Sequence, residues 1–245
     1  MKVFLLAIAI GFAWARSLTA QDSAAFAQGN EGFAAGRFDE AISAYEEAAG
    51  AGLTSANVFY NLANAYARAG NPGEAILNYK RALALEPKHP EAEANLRVVR
   101  DQARALELPP TPTDRFFAVA TESQWITIAA VGFWLATGCI VTLCFRSGRG
   151  LGAPLVAVFG VVLFGLAAAA VWNLETGWTG RTLAIVTADK IQARLATADT
   201  SGTVLALPPG SEVQILSARG DWIYAALPNN LRGWLPATAA ELVRK

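Results

Sequence analysis

The sequence predicts a multidomain membrane protein in which an all-α repeat stack, a two-helix transmembrane hairpin and a small all-β barrel follow one another. Three observations predict this order. Residues 30 to 96 repeat themselves at an offset of 34, two long uncharged runs follow, and the C-terminal part switches to short alternating runs. The net charge is zero, from 20 basic and 20 acidic residues, so the composition does not favour a nucleic-acid partner, which would select a basic face.

The N-terminus has the residue order of a secretory signal peptide, with Lys2 followed by an apolar run and then by small residues. We assign residues 1–20 to this peptide and prefer cleavage after Ala20, which leaves a polar mature end. Cleavage after Ala15 fits the A-x-A rule better, and an uncleaved anchor helix is the other alternative. Each alternative predicts that the residues that follow are exported.

The repeated segment covers residues 22–105, with one repeat at 22–55, a second at 56–89 and a capping helix after them. The second repeat carries large, small and aromatic residues at fixed spacing, namely Phe59, Leu62, Ala63, Tyr66, Ala75, Tyr79 and Pro87. This spacing resembles the tetratricopeptide repeat, a helix–turn–helix unit that stacks on copies of itself. The first repeat matches the pattern less well, as terminal repeats often do.

The resemblance implies a protein-binding surface along the first helix of each repeat. The partner-binding residues that it predicts are Phe26, Asn30, Phe33, Tyr60, Asn64 and Arg68. Their amides and guanidinium suit a peptide backbone or a carboxylate, which an arginine binds with two hydrogen bonds. The alternative is that Asn30 and Asn64 only bond between neighbouring helices, a structural role that we also assign to Asn61 and Asn95.

The stack is short for a protein of this type. Two repeats and a cap fall below the three repeats that stability usually needs. We therefore expect a partner, or self-association, to complete the stack.

A proline-rich segment at residues 106–122 predicts a semi-extended spacer. After it, residues 125–145 and 151–172 contain no charge, and each run is long enough to cross a hydrocarbon core of about 30 Å as a helix. A buried core helix is the alternative for such a run. The only two cysteines, Cys139 and Cys144, lie in the first run, where we interpret them as small packing residues.

The loop between the two runs contains Arg146 and Arg149, which favours a cytoplasmic turn. Together with the signal peptide, this predicts that the soluble segments before and after the hairpin both lie outside the cytoplasm.

Short alternating runs and turn residues fill residues 182–245 and predict a small barrel. The predicted strands are Leu183 to Val186, Ile191 to Leu195, Thr203 to Leu207, Val213 to Ser217, Trp222 to Ala226 and Gly233 to Leu235. The order Gly220-Asp221-Trp222, then Arg232-Gly233-Trp234-Leu235-Pro236, resembles bacterial Src-homology-3-like domains. That resemblance implies binding of peptides or cell-wall material, with Trp222, Tyr224 and Trp234 as contact residues. The alternative is that the tryptophans fill the core.

No residue pattern in the chain predicts catalysis. The single histidine, His89, stands in a helix–helix loop, and the sequence contains no H-E-x-x-H motif, no phosphate-binding loop and no cysteine outside the apolar runs. We therefore predict no catalytic residue, no metal site and no cofactor, and we expect the protein not to be an enzyme.

The order of signal peptide, repeats, paired apolar runs and C-terminal barrel resembles the BatE-like repeat proteins of the bacterial Bat aerotolerance operon. This resemblance implies an inner-membrane adaptor or scaffold in an envelope stress complex, with both soluble domains in the periplasm. The partners would be von Willebrand factor A-domain membrane proteins, served by a cytoplasmic MoxR-type ATPase. The alternative is a cell-wall sensor or anchor whose barrel recognises peptidoglycan or a peptide.

Overall fold

The computed structural model describes residues 24–145, 152–176 and 180–244. The predicted signal peptide and the loop between the two apolar runs lie outside the described residues. The chain forms two compact units. One unit runs through Leu108 and resumes at Ala184, and the other comprises Pro109–Leu183.

Five helices form the predicted repeat stack, which is confirmed. They are α1 (24–34), α2 (Phe38–Gly50), α3 (Ala56–Ala69), α4 (Pro72–Leu85) and α5 (Pro90–Ala103). The first helix of each repeat ends at a glycine with a positive φ, 74° at Gly36 and 83° at Gly70. Only glycine adopts this left-handed conformation without a steric penalty, so it stops the helix and starts the turn. Pro72 then opens α4, where its fixed φ already suits a helix.

Seven short strands form one antiparallel sheet at the C-terminus. They are β1 (Leu183–Val186), β2 (Ile191–Arg194), β3 (Thr203–Leu207), β4 (Glu212–Arg219), β5 (Trp222–Ala226), β6 (Arg232–Pro236) and β7 (Ala240–Leu242). Their order across the sheet is β3-β2-β6-β5-β4-β1-β7. The last strand was not predicted, because three residues are too few to show an alternating pattern.

The predicted closed barrel is wrong, because the sheet of residues 180–244 remains open with β3 and β7 as its edges. The β7 edge is covered by a repeat helix instead of by β3. Arg81 of α4 donates from Nη2 to the carbonyl oxygen of Leu242 at 3.1 Å and to Oε1 of Glu241 at 2.9 Å. A covering helix protects a strand edge as closure would.

A buried carboxylate joins the sheet to the stack. Glu212, at the start of β4, is 0% exposed. Its Oε1 lies 2.6 Å from Nζ of Lys80 and 3.2 Å from Nη2 of Arg100, and its Oε2 accepts the backbone N–H of Leu108 at 3.2 Å. A carboxylate withdrawn from water needs such partners, because an uncompensated buried charge costs several kcal/mol.

Backbone contacts strengthen the same junction. Leu106 donates its N–H to Oγ of Ser211 at 3.1 Å, and its carbonyl oxygen accepts the N–H of Glu212 at 2.8 Å. On α4, a Cβ added at Gly73 would lie 2.7 Å from the carbonyl oxygen of Thr187, so only glycine permits this approach. The chain's own sheet therefore packs where a third repeat would continue the stack, and this removes the reason for expecting another chain to complete it.

The second unit contains α6 (Pro112–Phe117), α7 (Glu122–Phe145) and α8 (Gly152–Thr176). A Cβ at Gly132 of α7 or at Gly160 of α8 would come within 3 Å of the facing helix backbone, so these two glycines allow close packing. Both helices are long and apolar enough to cross a membrane. Only 11% and 22% of the two apolar windows is buried, whereas a core helix of a soluble protein is mostly buried.

We expect Glu212→Ala to lower the free energy of unfolding of the first unit by about 3–5 kcal/mol, because the substitution removes the carboxylate that Lys80 and Arg100 share. Faster hydrogen exchange at the Leu108 amide, together with a lower denaturation midpoint of the full chain in detergent, would show this loss. The matched control is Glu93→Ala, which removes an exposed ion pair with Arg97 and is expected to cost less than about 1 kcal/mol. Equal effects of the two substitutions would contradict the role of Glu212.

Candidate functional site

A groove runs along the first helices of the stack, and we call it the repeat groove. It consists of two adjoining pockets of about 100 and 230 Å³ that share Phe33 and Asn64. The smaller pocket is also lined by Asn30, Tyr45 and Asn61, and the larger one by Ala67, Arg68, Tyr79, Asn95, Val98 and Val99. The lining therefore combines amides, one guanidinium and apolar side chains, all from the repeat helices.

Hydrogen bonds between helices hold the first pocket in shape. Oδ1 of Asn30 accepts the hydroxyl of Tyr45 at 2.8 Å and Nδ2 of Asn61 at 3.2 Å. Burial raises the pKa of Tyr45, so its hydroxyl stays protonated and remains a donor at neutral pH. One amide oxygen thus ties α1 to both α2 and α3.

The same network recurs 34 residues later. Oδ1 of Asn64 accepts the hydroxyl of Tyr79 at 2.5 Å and Nδ2 of Asn95 at 3.0 Å. Burial raises the pKa of Tyr79 to about 12. Val98 occupies the next position in this series, 34 residues after Asn64, and an aliphatic side chain offers no acceptor. The network therefore ends at α5, where Val98 presents an exposed apolar surface to the groove instead.

These bonds bear on the alternatives for the asparagines. Asn30 and Asn64 do bond between neighbouring helices, but the contacts use their amide oxygens. An asparagine side chain also carries two N–H donors, which a bound peptide carbonyl can accept. Their role in binding therefore stays a prediction, alongside a structural role that the geometry shows.

Arg68 lies at the open side of the larger pocket and is exposed. Its guanidinium carbon stands 5.0 Å from the ring centroid of Phe38, and that ring contacts Phe33 edge to face at 5.5 Å. A cation over an aromatic face is attracted by about 0.5–1 kcal/mol at an exposed site. The contact orients the guanidinium while leaving its N–H donors in solvent.

The predicted partner-binding residues divide into two groups. Asn30, Phe33, Asn64 and Arg68 line the repeat groove. Phe26 and Tyr60 line neither of its two pockets and pack on aromatic neighbours, since Phe26 lies 5.7 Å from the ring of Tyr45 and Tyr60 lies 4.8 Å from that of His89.

Sequence reasoning missed the contribution of α5 to the groove. Asn95, Val98 and Val99 all lie on this helix and line the larger pocket. The signal was available, because Val98 continues the series Asn30, Asn64 at the same 34-residue offset.

A second candidate surface lies on the sheet, and we call it the aromatic face. Tyr224 of β5 stands opposite Trp234 of β6 with ring centroids 5.0 Å apart, and Trp222 stands opposite Pro236. Arg194 of β2 pairs with Trp234 on its other side. All three aromatic side chains are half-buried.

The core of the sheet lies on the opposite face from these aromatic residues. Ile223 and Ala225, which alternate with them along β5, belong to the buried cluster, as does Leu235 of β6. The interpretation that the tryptophans fill the core is therefore wrong. Trp222, Tyr224 and Trp234 remain candidate ligand contacts.

His89 has a structural position. Its Nδ1 accepts the backbone N–H of Ala92 at 3.3 Å and so caps the N-terminus of α5. Within the ranges that the structure describes, no three histidine, cysteine, aspartate or glutamate side chains come together in a way that would hold a metal ion.

Residues 56–89 match the family model of the tetratricopeptide repeat, which covers α3, α4 and the turn between them. A search of curated protein sequences finds no match. Repeats of this family are typically non-catalytic and commonly bind protein partners along the surface of the stack. The match and the fold together define the N-terminal part of the chain as a tetratricopeptide repeat scaffold.

We expect Asn64→Ala to destabilise the first unit by about 1–3 kcal/mol, because it leaves the hydroxyl of buried Tyr79 without its acceptor. Arg68→Ala, which removes an exposed side chain from the same helix, is expected to cost no more than about 1 kcal/mol. Chemical denaturation of both variants measures the difference. A larger loss for Arg68→Ala would contradict the division between supporting and free groups in the groove.

Proposed function

We propose that this chain is a bacterial inner-membrane adaptor or scaffold whose repeat groove binds a protein partner. The observation that carries the proposal is the continuous groove along α1, α3 and α5, whose lining suits a peptide. Amides bind the peptide backbone, Phe33 and Val98 supply apolar contacts, and Arg68 binds a carboxylate. The narrower proposal is a Bat-type envelope complex with von Willebrand A-domain proteins and a MoxR-type ATPase, and the order of segments along the chain supports it.

The packing of stack and sheet supports the membrane topology in this proposal. Glu212 contacts Lys80 and Arg100, although α7 and α8 lie between them in the chain. Segments that pack together must lie on the same side of a membrane, so α7 and α8 cross it as a pair. The apolar N-terminus and the two arginines of the intervening loop favour the periplasm for the packed unit.

Reporter fusions at Gly148 and Lys245 test this orientation. We expect a cytoplasmic signal at Gly148 and a periplasmic one at Lys245, because two spans return the chain to its starting side. Signals from the same compartment at both sites would overturn the paired-span topology, and exchanged signals would overturn the orientation alone.

We expect Arg68→Glu to abolish the recovery of co-purifying membrane proteins, because a carboxylate in the groove repels the group that the guanidinium binds. The measurement is affinity purification of the full chain from solubilised membranes, followed by mass spectrometry. The matched control is Lys88→Glu, which makes the same charge reversal at an exposed residue of the α4–α5 loop. Equal recovery with the two variants would sink the groove as the partner site.

The aromatic face favours a second candidate function, a cell-wall sensor or anchor. Trp222, Tyr224 and Trp234 present aromatic surfaces beside Arg194, which suits a sugar, a peptide or peptidoglycan. In the same experiment, Trp234→Ala should then lose sedimentation with purified cell wall while Arg68→Glu retains it. Point substitutions are preferable to deleting residues 182–245, because the deletion would uncover α4 and α5.

A further inference from the structure

We propose that α6 and the residues that follow it form an interfacial anchor, in which Phe116 and Val119 insert into the headgroup region of a lipid bilayer. This inference rests on the proposed membrane insertion of α7 and α8. It gives a function to a segment that the sequence predicted only as a spacer.

α6 is fixed against one end of the hairpin. Phe117 is buried in a cluster with Trp125, Ala167 and Ala170. Nε1 of Trp125 donates to the carbonyl oxygen of Phe117 at 2.9 Å. Trp125 belongs to the first turn of α7, and Ala170 lies near the end of α8, so α6 packs at the end of the hairpin where one helix begins and the other ends.

Apolar side chains at this end of the hairpin have no protein cover within the described residues. Phe116 is 57% exposed and Val119 is 84% exposed, directly beside the buried Phe117. Trp172 is 70% exposed and lies two residues after Ala170, which packs in the Phe117 cluster. Exposed apolar area is unfavourable in water by about 25 cal/mol per Å², and tryptophan concentrates at the boundary between lipid and water.

Continuity identifies a bilayer, rather than a protein, as the cover for these side chains. The exposed apolar surface of α6 continues onto that of α7 and α8, whose outer faces carry Ile126, Val131 and Phe159 among their exposed residues. A membrane that accommodates the hairpin therefore reaches Phe116 and Val119 without any further partner. Amphipathic segments of this kind bury their apolar face about 5–10 Å into the boundary between headgroups and acyl chains.

The helix is ordered before it meets lipid. Asp114 donates its backbone N–H to Oγ1 of Thr111 at 3.2 Å, and Oδ2 of Asp114 accepts the N–H of Thr111 at 2.9 Å. This reciprocal capping box and Pro112 in the first turn support a helix of only six residues. Because the turn is already formed, little conformational entropy is lost when its apolar side enters the membrane.

The test uses single-cysteine variants of the full chain in phospholipid nanodiscs. Phe116→Cys and Val119→Cys, each made in a chain with Cys139→Ser and Cys144→Ser, are labelled with an environment-sensitive dye. Lipids carry a nitroxide quencher either near the headgroup or deep in the acyl chain. Val131→Cys serves as the spanning control, and Leu195→Cys, an exposed apolar residue of the sheet unit, serves as the aqueous control.

We expect the headgroup quencher to reduce fluorescence at positions 116 and 119 more than the deep quencher does, and position 195 to respond to neither. Val131→Cys should respond most to the deep quencher. If position 131 is quenched while 116 and 119 behave like 195, the anchor is wrong and the membrane hairpin stands. If position 131 is not quenched either, the proposed membrane insertion itself is wrong.

Discussion

The burial of one carboxylate determines how the soluble parts of this chain fit together. Glu212 is completely withdrawn from solvent, and its partners come from α4, from α5 and from the segment after α5. A buried charge with one partner missing is strongly unfavourable, so the three segments must be in place together. The pair contributes specificity more than net stability, because desolvation offsets much of its attraction. The groove keeps its shape because α5 is fixed from the side that faces the sheet.

Local patterns in the sequence were sufficient for the elements of the fold. The 34-residue offset identified both repeats, and it places Gly36 and Gly70 at equivalent left-handed helix ends. The same offset relates Asn30 to Asn64, whose hydrogen bonds repeat in the structure. These features depend on residues close together in the chain, and periodicity reports such neighbours well.

The junction between stack and sheet was not predictable in this way. Glu212 stands in a strand with no local sign of burial, and its cationic partners lie more than 100 residues away in helices. The open edge of the sheet has the same origin, since Arg81 of α4 covers β7. The orientation of the aromatic face was predictable, however, because Ile223 alternates with Trp222 and Tyr224 along one strand. A strand's two-residue period assigns such neighbours to opposite faces.

The first unit is interrupted in sequence by the second, and this has a consequence for biosynthesis. Arg100 and Glu212 are separated by 112 residues, and Arg81 and Leu242 by 161. Contacts of such long sequence separation form late, because chain closure precedes any gain from them. A growing chain has therefore made α4 and α5, and the whole hairpin, before the strand that covers them exists. A ribosome that stalls before β4 leaves this helix surface open, which gives proteases and chaperones a physical mark of an unfinished chain.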